Sequence, residues 1–258
     1  LGILTRVTLD LQPTYQVAQS VYQNLSFDRL EHHFEEIFGA GYSVSLFTDW
    51  QNHHATQVWI KRRLTPGDPN KWQSEFFGAA LAQEKLHPIT GHPAESCTEQ
   101  QGIPGPWYER LPHFKMNFTP SSGHELQTEY LVPFDHGYQA ILAVEKLREQ
   151  ITPHLFVTEL RTIAADNLWM STAYQRPSLA IHFTWKPEWP AVSKILPQIE
   201  AQLAPFGPRP HWGKLFTVPS AQLQAQYKRL GDFKAAAAHL DPGAKFRNEF
   251  LSRNLYAS

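Results

Sequence analysis

The apolar and polar positions of the chain change rhythm several times, and each change marks an element. From Thr5 to Leu11 the order Thr-Arg-Val-Thr-Leu-Asp-Leu alternates and is partly β-branched, which predicts a strand closed by Pro13. Residues 15–25 predict a second strand, with Tyr15, Val17, Val21 and Tyr22 as its apolar positions. Ser26 then stands where an N-cap belongs. Across 27–38, Phe27, Leu30, Phe34, Ile37 and Phe38 recur at helical spacing. Gly39 and Gly41 end that helix, and residues 42–50 and 55–64 predict two more strands.

The rhythm is lost over residues 65–119, which are rich in Pro, Gly, Gln and His. This stretch predicts a long surface excursion with short helical pieces near 79–86. A loop of that length in a compact domain is usually functional or an insertion. Regular patterning resumes with a strand at 125–132 and a helix at 135–150 carrying Ile141, Leu142, Val144 and Leu147. Strands at 155–163 and 178–185 follow. Pro190 suits the first turn of a helix reaching about residue 203, and Pro197 inside it predicts a kink. The order strand–helix–strand–strand thus occurs twice. It predicts an α+β fold, an antiparallel sheet with helices packed on one face. Residues 223–240 predict a helix ended by Asp241-Pro242-Gly243, and the polar and aromatic tail from Lys245 to Leu251 needs a surface to dock on.

With 258 residues the chain is long enough to bury a sizeable core, and 42% hydrophobic with 18% charged residues is a globular composition. Lys plus Arg number 23 against 24 Asp plus Glu. So even a balance points away from nucleic acid and from an anionic membrane as the main partner. The longest aliphatic runs are too short to span a bilayer. Cys97 is the single cysteine, which excludes an internal disulfide and every zinc site needing two thiolates. Its neighbours Glu95 and Glu99 make it a poor nucleophile, so it reads as an ordinary loop cysteine. The expectation is a chain without a signal peptide and a cytoplasmic location. The chain starts Leu1-Gly2-Ile3-Leu4, like the middle of a strand. The expectation is that an N-terminal part, with half of an active site, precedes it.

Some positions carry candidate chemistry. Glu159 and Arg161 lie two apart in a predicted strand and so share a face, and His182 and Thr184 do the same in the next. If those strands are neighbours, one patch of sheet displays a carboxylate, a guanidinium, an imidazole and a hydroxyl. The plain alternative is a solvated surface ion pair of little energetic weight. His182 also reads as a satisfied core histidine, the reading favoured here. His211-Trp212-Gly213-Lys214 follows Pro208-Arg209-Pro210. The glycine permits close backbone approach to a ligand and the lysine offers a point charge, or the segment is a turn with an exposed lysine. The 13 histidines include the pairs His32-His33 and His53-His54, but none has metal-ligand spacing, so no metal is expected. Dinucleotide fingerprints, phosphate loops and nucleophile elbows are absent from the sequence.

Four motifs in order are more specific together than any one alone. Glu159-Leu160-Arg161-Thr162, Ala180-Ile181-His182-Phe183-Thr184-Trp185, Arg209-Pro210-His211-Trp212-Gly213-Lys214 and Asp241-Pro242-Gly243-Ala244-Lys245-Phe246-Arg247-Asn248 resemble the C-terminal half of bacterial alditol (xylitol) oxidases. These are FAD-dependent flavoproteins of the vanillyl-alcohol oxidase superfamily, related to the sugar-lactone oxidases such as D-arabinono-1,4-lactone oxidase. The resemblance covers essentially the whole chain and lacks the family's N-terminal FAD-binding domain. It implies oxidation of a terminal hydroxyl of a polyol such as xylitol or sorbitol to an aldose, with oxygen reduced to hydrogen peroxide. It implies that Glu159, Arg161, Thr184 and Lys214 contact the polyol, with Arg161, Lys214 and Glu159 in catalytic roles. It places His211, Asn248, Ile3 and Gly2 toward the FAD. Residues 1–13 are then the last strand of the missing domain, 14–222 the substrate-binding domain with its excursion at 65–119, and 223–258 a helix and tail docking back on the FAD domain.

Physical chemistry fits those roles. An alcohol is a very weak acid, so a developing alkoxide needs a fixed cation, and arginine stays protonated. The general base stays open between Glu159, Lys214 and solvent. Two other functions compete with the first. One is a sugar-1,4-lactone oxidase or dehydrogenase on the same fold; the other is a carbohydrate-binding domain without catalysis.

Overall fold

The structure is a computed structural model that describes residues 3–67, 69–118 and 124–256. Its strands and helices run β1 (Gln16–Ser26), α1 (Phe27–Phe38), β2 (Ser43–Thr48), β3 (His54–Leu64), β4 (Glu75–Phe76), β5 (Ala79–Leu81), β6 (Gly105–Pro106) and α2 (Trp107–Arg110). After these come β7 (Leu126–Pro133), α3 (Gly137–Glu145), α4 (Arg148–Ile151), β8 (Leu155–Ile163), β9 (Ser178–Trp185) and α5 (Trp189–Leu203). The chain closes with β10 (Arg209–Pro210), α6 (Ser220–Ala225), α7 (Leu230–Leu240) and α8 (Glu249–Leu251). The strands form one sheet, in the order β10-β7-β9-β8-β2-β3-β1-β5-β4, with β6 paired to β1. Every pairing is antiparallel. β1-β3-β2 and β7-β9-β8 each place their last-made strand in the middle, and the two groups meet edge to edge at β2 and β8. The α+β antiparallel architecture is the one the sequence predicts.

Alternation decides what each face carries. Leu46, Val58, Ile60, Tyr130, Val132, Leu160, Leu179, Ile181 and Phe183 point to one side. There they pack against Leu30 and Ile37 of α1, Ile141 and Val144 of α3, and Val192, Leu196 and Ile199 of α5. This is the main core, and burying each such side chain contributes about 1.5–3 kcal/mol. Phe183 stacks between Trp50 and Trp185, at 6.1 and 5.0 Å. The indole N–H groups of Trp50 and Trp185 donate to Thr158 and Thr128, so the polar ends of both rings are satisfied in the core. Ser26 caps α1 by accepting from the Asp28 N–H, as predicted, and Gly39 closes it. Gly137 starts α3 where a Cβ would come within 2.4 Å of the Phe34 ring, so only glycine lets α1 and α3 approach this closely.

Several predicted elements differ. Residues 5–11 form no strand: they are exposed and pair with nothing among the described residues. The alternation signals a half-buried strand, but these residues join no strand of the described sheet. Leu1 and Gly2 lie outside the described residues. The helix expected near 79–86 is instead the hairpin β4–β5, because Phe77 and Gly78 both take positive φ and form a tight turn. The 135–150 helix breaks at Leu147, whose N–H bonds to Val144. The 223–240 helix is two helices, separated at Tyr227. α5 runs on through Pro197. The tail docks on its own chain: Asn254 and Leu255 are buried, and Leu255 packs with Leu223, Tyr227 and Leu230.

Candidate active site

The opposite face of the central strands is polar. β8 lends it Glu159 and Arg161, β9 His182 and Thr184, β7 Glu129, β2 Ser45 and β3 Lys61. Register brings them together. Glu159 pairs with His182, His182 pairs with Glu129 on the other side, and Ser45 pairs with Arg161. Two loops close over this face. The excursion supplies Leu111 and His113, and the turn after β10 supplies His211 and Lys214.

The side chains form one chain of charge. Arg161 donates from Nη2 to Glu129 Oε1 at 3.0 Å and approaches Glu159 Oε2 from Nη1 at 3.4 Å. Lys214 Nζ donates to Glu129 Oε2 at 2.6 Å. Glu159 Oε1 accepts from Ser45 Oγ at 2.7 Å and lies 3.0 Å from His113 Nε2. Behind His113, buried Lys61 lies 3.1 Å from its Nδ1 and donates to the Leu111 carbonyl. His182 Nδ1 stands 3.8 Å from Glu159 Oε2, and its Nε2 is buried without a partner among the described residues.

Burial and charge compete at each group. Burial raises the Glu129 carboxyl, but Arg161 and Lys214 outweigh it and hold the group down to about 2. Burial likewise raises Glu159, and His113 with Arg161 holds it well below the usual carboxylate range. Burial lowers Lys61 to about 7, opposed by Glu159. His113 is lowered by burial and then by Lys61. Arg161 is raised by the two carboxylates against its own burial. Both carboxylates are therefore anionic hydrogen-bond acceptors of low basicity. Arg161 retains 34% side-chain exposure against 7% for Glu159, so the guanidinium is what the network shows to a ligand. It lines a recess of about 470 Å³ with Glu159, His113, Ser45 and Tyr42. A second recess of about 560 Å³ lies beside Lys214, walled by Trp212, Phe216 and Phe250.

The structure joins Glu159, Arg161 and Lys214 in one network, with Glu129 as the link. Thr184 is on the same face but two register pairs away, between Val157 and Gln127. His211 sits in the turn: its backbone N–H bonds to the Glu129 carbonyl, and its Nδ1 accepts from Gly213. Asn248 caps α8 through an Oδ1 contact with the Leu251 N–H, on the surface. Ile3 is exposed, far from any pairing, and Gly2 lies outside the described residues. Cys97 is buried and pushed up to about 11, chiefly by burial rather than by its acidic neighbours.

Sequence reasoning missed Glu129, Ser45, Lys61 and His113. Period-two counting from Glu159 could not reach them, because each stands on another strand or loop. The signal available was a lone charge inside an apolar strand, present at Glu129; Lys61 opens the run Lys61-Arg62-Arg63 and gives no such signal.

The D-arabinono-1,4-lactone oxidase family matches residues 118–254. The chain is 48% identical over 251 residues to an alditol oxidase of a Streptomyces species, covering 97% of this chain and 59% of that protein. Over 132 residues it is 30% identical to an L-gulono-1,4-lactone dehydrogenase of Mycobacterium tuberculosis, covering 50% of this chain and 30% of that protein. It thus spans less than two thirds of the length of either relative. Among the described residues no helix is long and apolar enough to cross a membrane.

Proposed function

The chain belongs to the D-arabinono-1,4-lactone oxidase family, and from that premise we propose that it is the substrate-binding part of an FAD-dependent oxidase acting on the terminal hydroxyl of a polyol. The observation that carries this reading is the partly exposed Arg161, clamped between Glu129 and Glu159 with Lys214 on the far side of Glu129. The 48% identity to an alditol oxidase supports the polyol as substrate class.

FAD, when bound, supplies the two-electron acceptor and delivers those electrons to oxygen, yielding hydrogen peroxide. This chain's own residues bind and orient. Arg161 holds the reacting hydroxyl oxygen and stabilises negative charge on it as its proton leaves. Lys214 adds a second cation near the same centre. Glu159 accepts from a neighbouring hydroxyl through Oε2, since Oε1 is taken by Ser45 and His113. Its depressed proton affinity suits an acceptor better than a base. Thr184 offers a hydroxyl further along the face.

The residues present fit a flavin. Trp212, Phe216 and Phe250 wall the recess beside Lys214 and Arg253, an aromatic and cationic setting for a flat ring that gains electron density. His211 is lowered by burial, and with Nδ1 accepting from Gly213 it offers Nε2–H as a donor. Asn248 keeps its amide N–H groups free of the cap it forms. The exposed run at 3–13 is the proposed last strand of a preceding FAD domain, with Gly2 and Ile3 approaching the cofactor. The region from 223 supplies the proposed docking surface toward that domain, while residues 14–222 hold the substrate.

A second reading keeps the cofactor and changes the substrate to a sugar lactone, favoured by the 30% identity to a lactone dehydrogenase. The test is peroxide release by the full-length, FAD-loaded protein with xylitol, sorbitol and a sugar-1,4-lactone side by side. Release with the polyols alone is the expected result. Release with the lactone alone selects the second reading. A protein that retains no flavin and releases nothing overturns both and leaves a carbohydrate-binding domain.

A further inference from the structure

Lys61 has no place in the polyol chemistry, yet its charge is buried deep in the fold. Its side chain is 1% exposed, on a central strand, and among the described residues no carboxylate lies within ion-pair distance of it. Its strand neighbours are Gln19 of β1 and Ser43 of β2. Among the described residues of the covering loop it meets the Leu111 carbonyl and His113 Nδ1. A buried, imperfectly paired ammonium is normally replaced by an apolar side chain unless its donors serve something.

The donor inventory shows what they serve. An ammonium has three N–H donors and no acceptor. Below about pH 7, where the buried Lys61 carries its full charge, His113 Nδ1 at 3.1 Å has to accept, so the imidazole proton sits on Nε2. Nε2 in turn lies 3.0 Å from Glu159 Oε1, where a donor is required. Oε1 also takes the Ser45 hydroxyl at 2.7 Å. One carboxylate oxygen is thereby fully occupied from behind. The other, Oε2, is turned toward Arg161.

We propose that Lys61 and His113 are positioning residues for Glu159: Lys61 fixes His113 as the Nε2–H tautomer, and His113 with Ser45 locks Oε1 so that Oε2 alone faces Arg161 and the substrate. The proposal rests on the oxidase reading for its substrate, but the tautomer part stands apart from turnover. In this arrangement Lys61 never touches the polyol. It acts through two hydrogen bonds, and its loss loosens the carboxylate without removing it.

The experiment uses the full-length, FAD-loaded protein, with Lys61→Met and His113→Gln variants checked for bound flavin and for cooperative unfolding. The imidazole nitrogens are read by 15N NMR below neutral pH, with the His113 signals assigned by their loss in His113→Gln. The expected parent spectrum shows neutral His113 protonated on Nε2, and Lys61→Met, which leaves that proton held from the Glu159 side alone, raises the Nδ1–H share. In kinetics, Lys61→Met raises the polyol KM about tenfold, the weight of one charge-assisted hydrogen bond, with kcat changed less than about threefold. In His113→Gln, whose amide N–H donates to Oε1 without a tautomer to fix, adding Lys61→Met raises KM no further. A parent His113 protonated on Nδ1 or on both nitrogens overturns the proposal. So does an unchanged tautomer in Lys61→Met. A parent that turns over no polyol removes the oxidase reading, and the nitrogen spectra then decide the relay by themselves.

Discussion

The two faces of the central sheet come from the same strands and differ residue by residue. On β9, Leu179, Ile181 and Phe183 meet the helices, while His182 and Thr184 meet the opposite side. On β8, Leu160 is core between Glu159 and Arg161. The helix face is held by area, a non-directional force that tolerates repacking. The polar face is held by directional pairs: Glu129 satisfies Arg161 and Lys214 at once, and Glu159 satisfies Ser45 and His113. Removing a group from the first face opens a cavity. Removing one from the second leaves buried charge uncompensated.

Substitutions separate the two. The largest stability effect is expected on the helix face. Phe183→Ala removes a fully buried ring stacked between Trp50 and Trp185 and costs about 3–5 kcal/mol, measured by urea unfolding. The flavin-loaded molecules that remain folded keep most of their turnover. A Phe183→Ala variant that is stable but inactive would break the division between the faces.

Glu129 gives the next effect, and it depends on pH. Its carboxyl is lowered from 4.5 to about 2 in the folded state, so its contribution is present above the unfolded value and is lost as pH falls toward about 2. A shift of that size corresponds to roughly 3 kcal/mol. Stability of the parent therefore falls between about pH 5 and pH 2, and Glu129→Gln flattens that fall while lowering stability at neutral pH. Urea midpoints across that range check both. An unchanged acid slope in Glu129→Gln would show that the Arg161–Glu129–Lys214 link carries no weight. The smallest effect belongs to a local signal: Ser26→Ala removes the cap of α1 and costs about 1 kcal/mol without altering substrate kinetics.

The same contrast explains what the sequence makes legible. α1 with its Ser26 cap, and the strands β8 and β9, follow from periodicity because apolar alternation is local. Glu159 with Arg161, and His182 with Thr184, are legible for the same reason: each pair lies two residues apart on one strand. Glu129, Ser45, Lys61 and His113 join the site through register and a loop without pattern, and no local spacing encodes a cross-strand partner. Residues 5–11 fail in the opposite direction: the pattern is strong, and its partner is absent from the described fold. Near 79–86 a helix is expected, but the positive φ of Phe77 and Gly78 dictates a hairpin.

The central claim is that the polar face exists to present Arg161 to an oxygen that becomes negative. The direct test is Arg161→Ala in the full-length, FAD-loaded protein, with xylitol turnover followed by peroxide release and bound flavin followed by absorbance. Losing one such contact lowers turnover by about two to three orders of magnitude, with flavin content unchanged. Turnover close to that of the parent, in a variant that holds its flavin, would contradict the account.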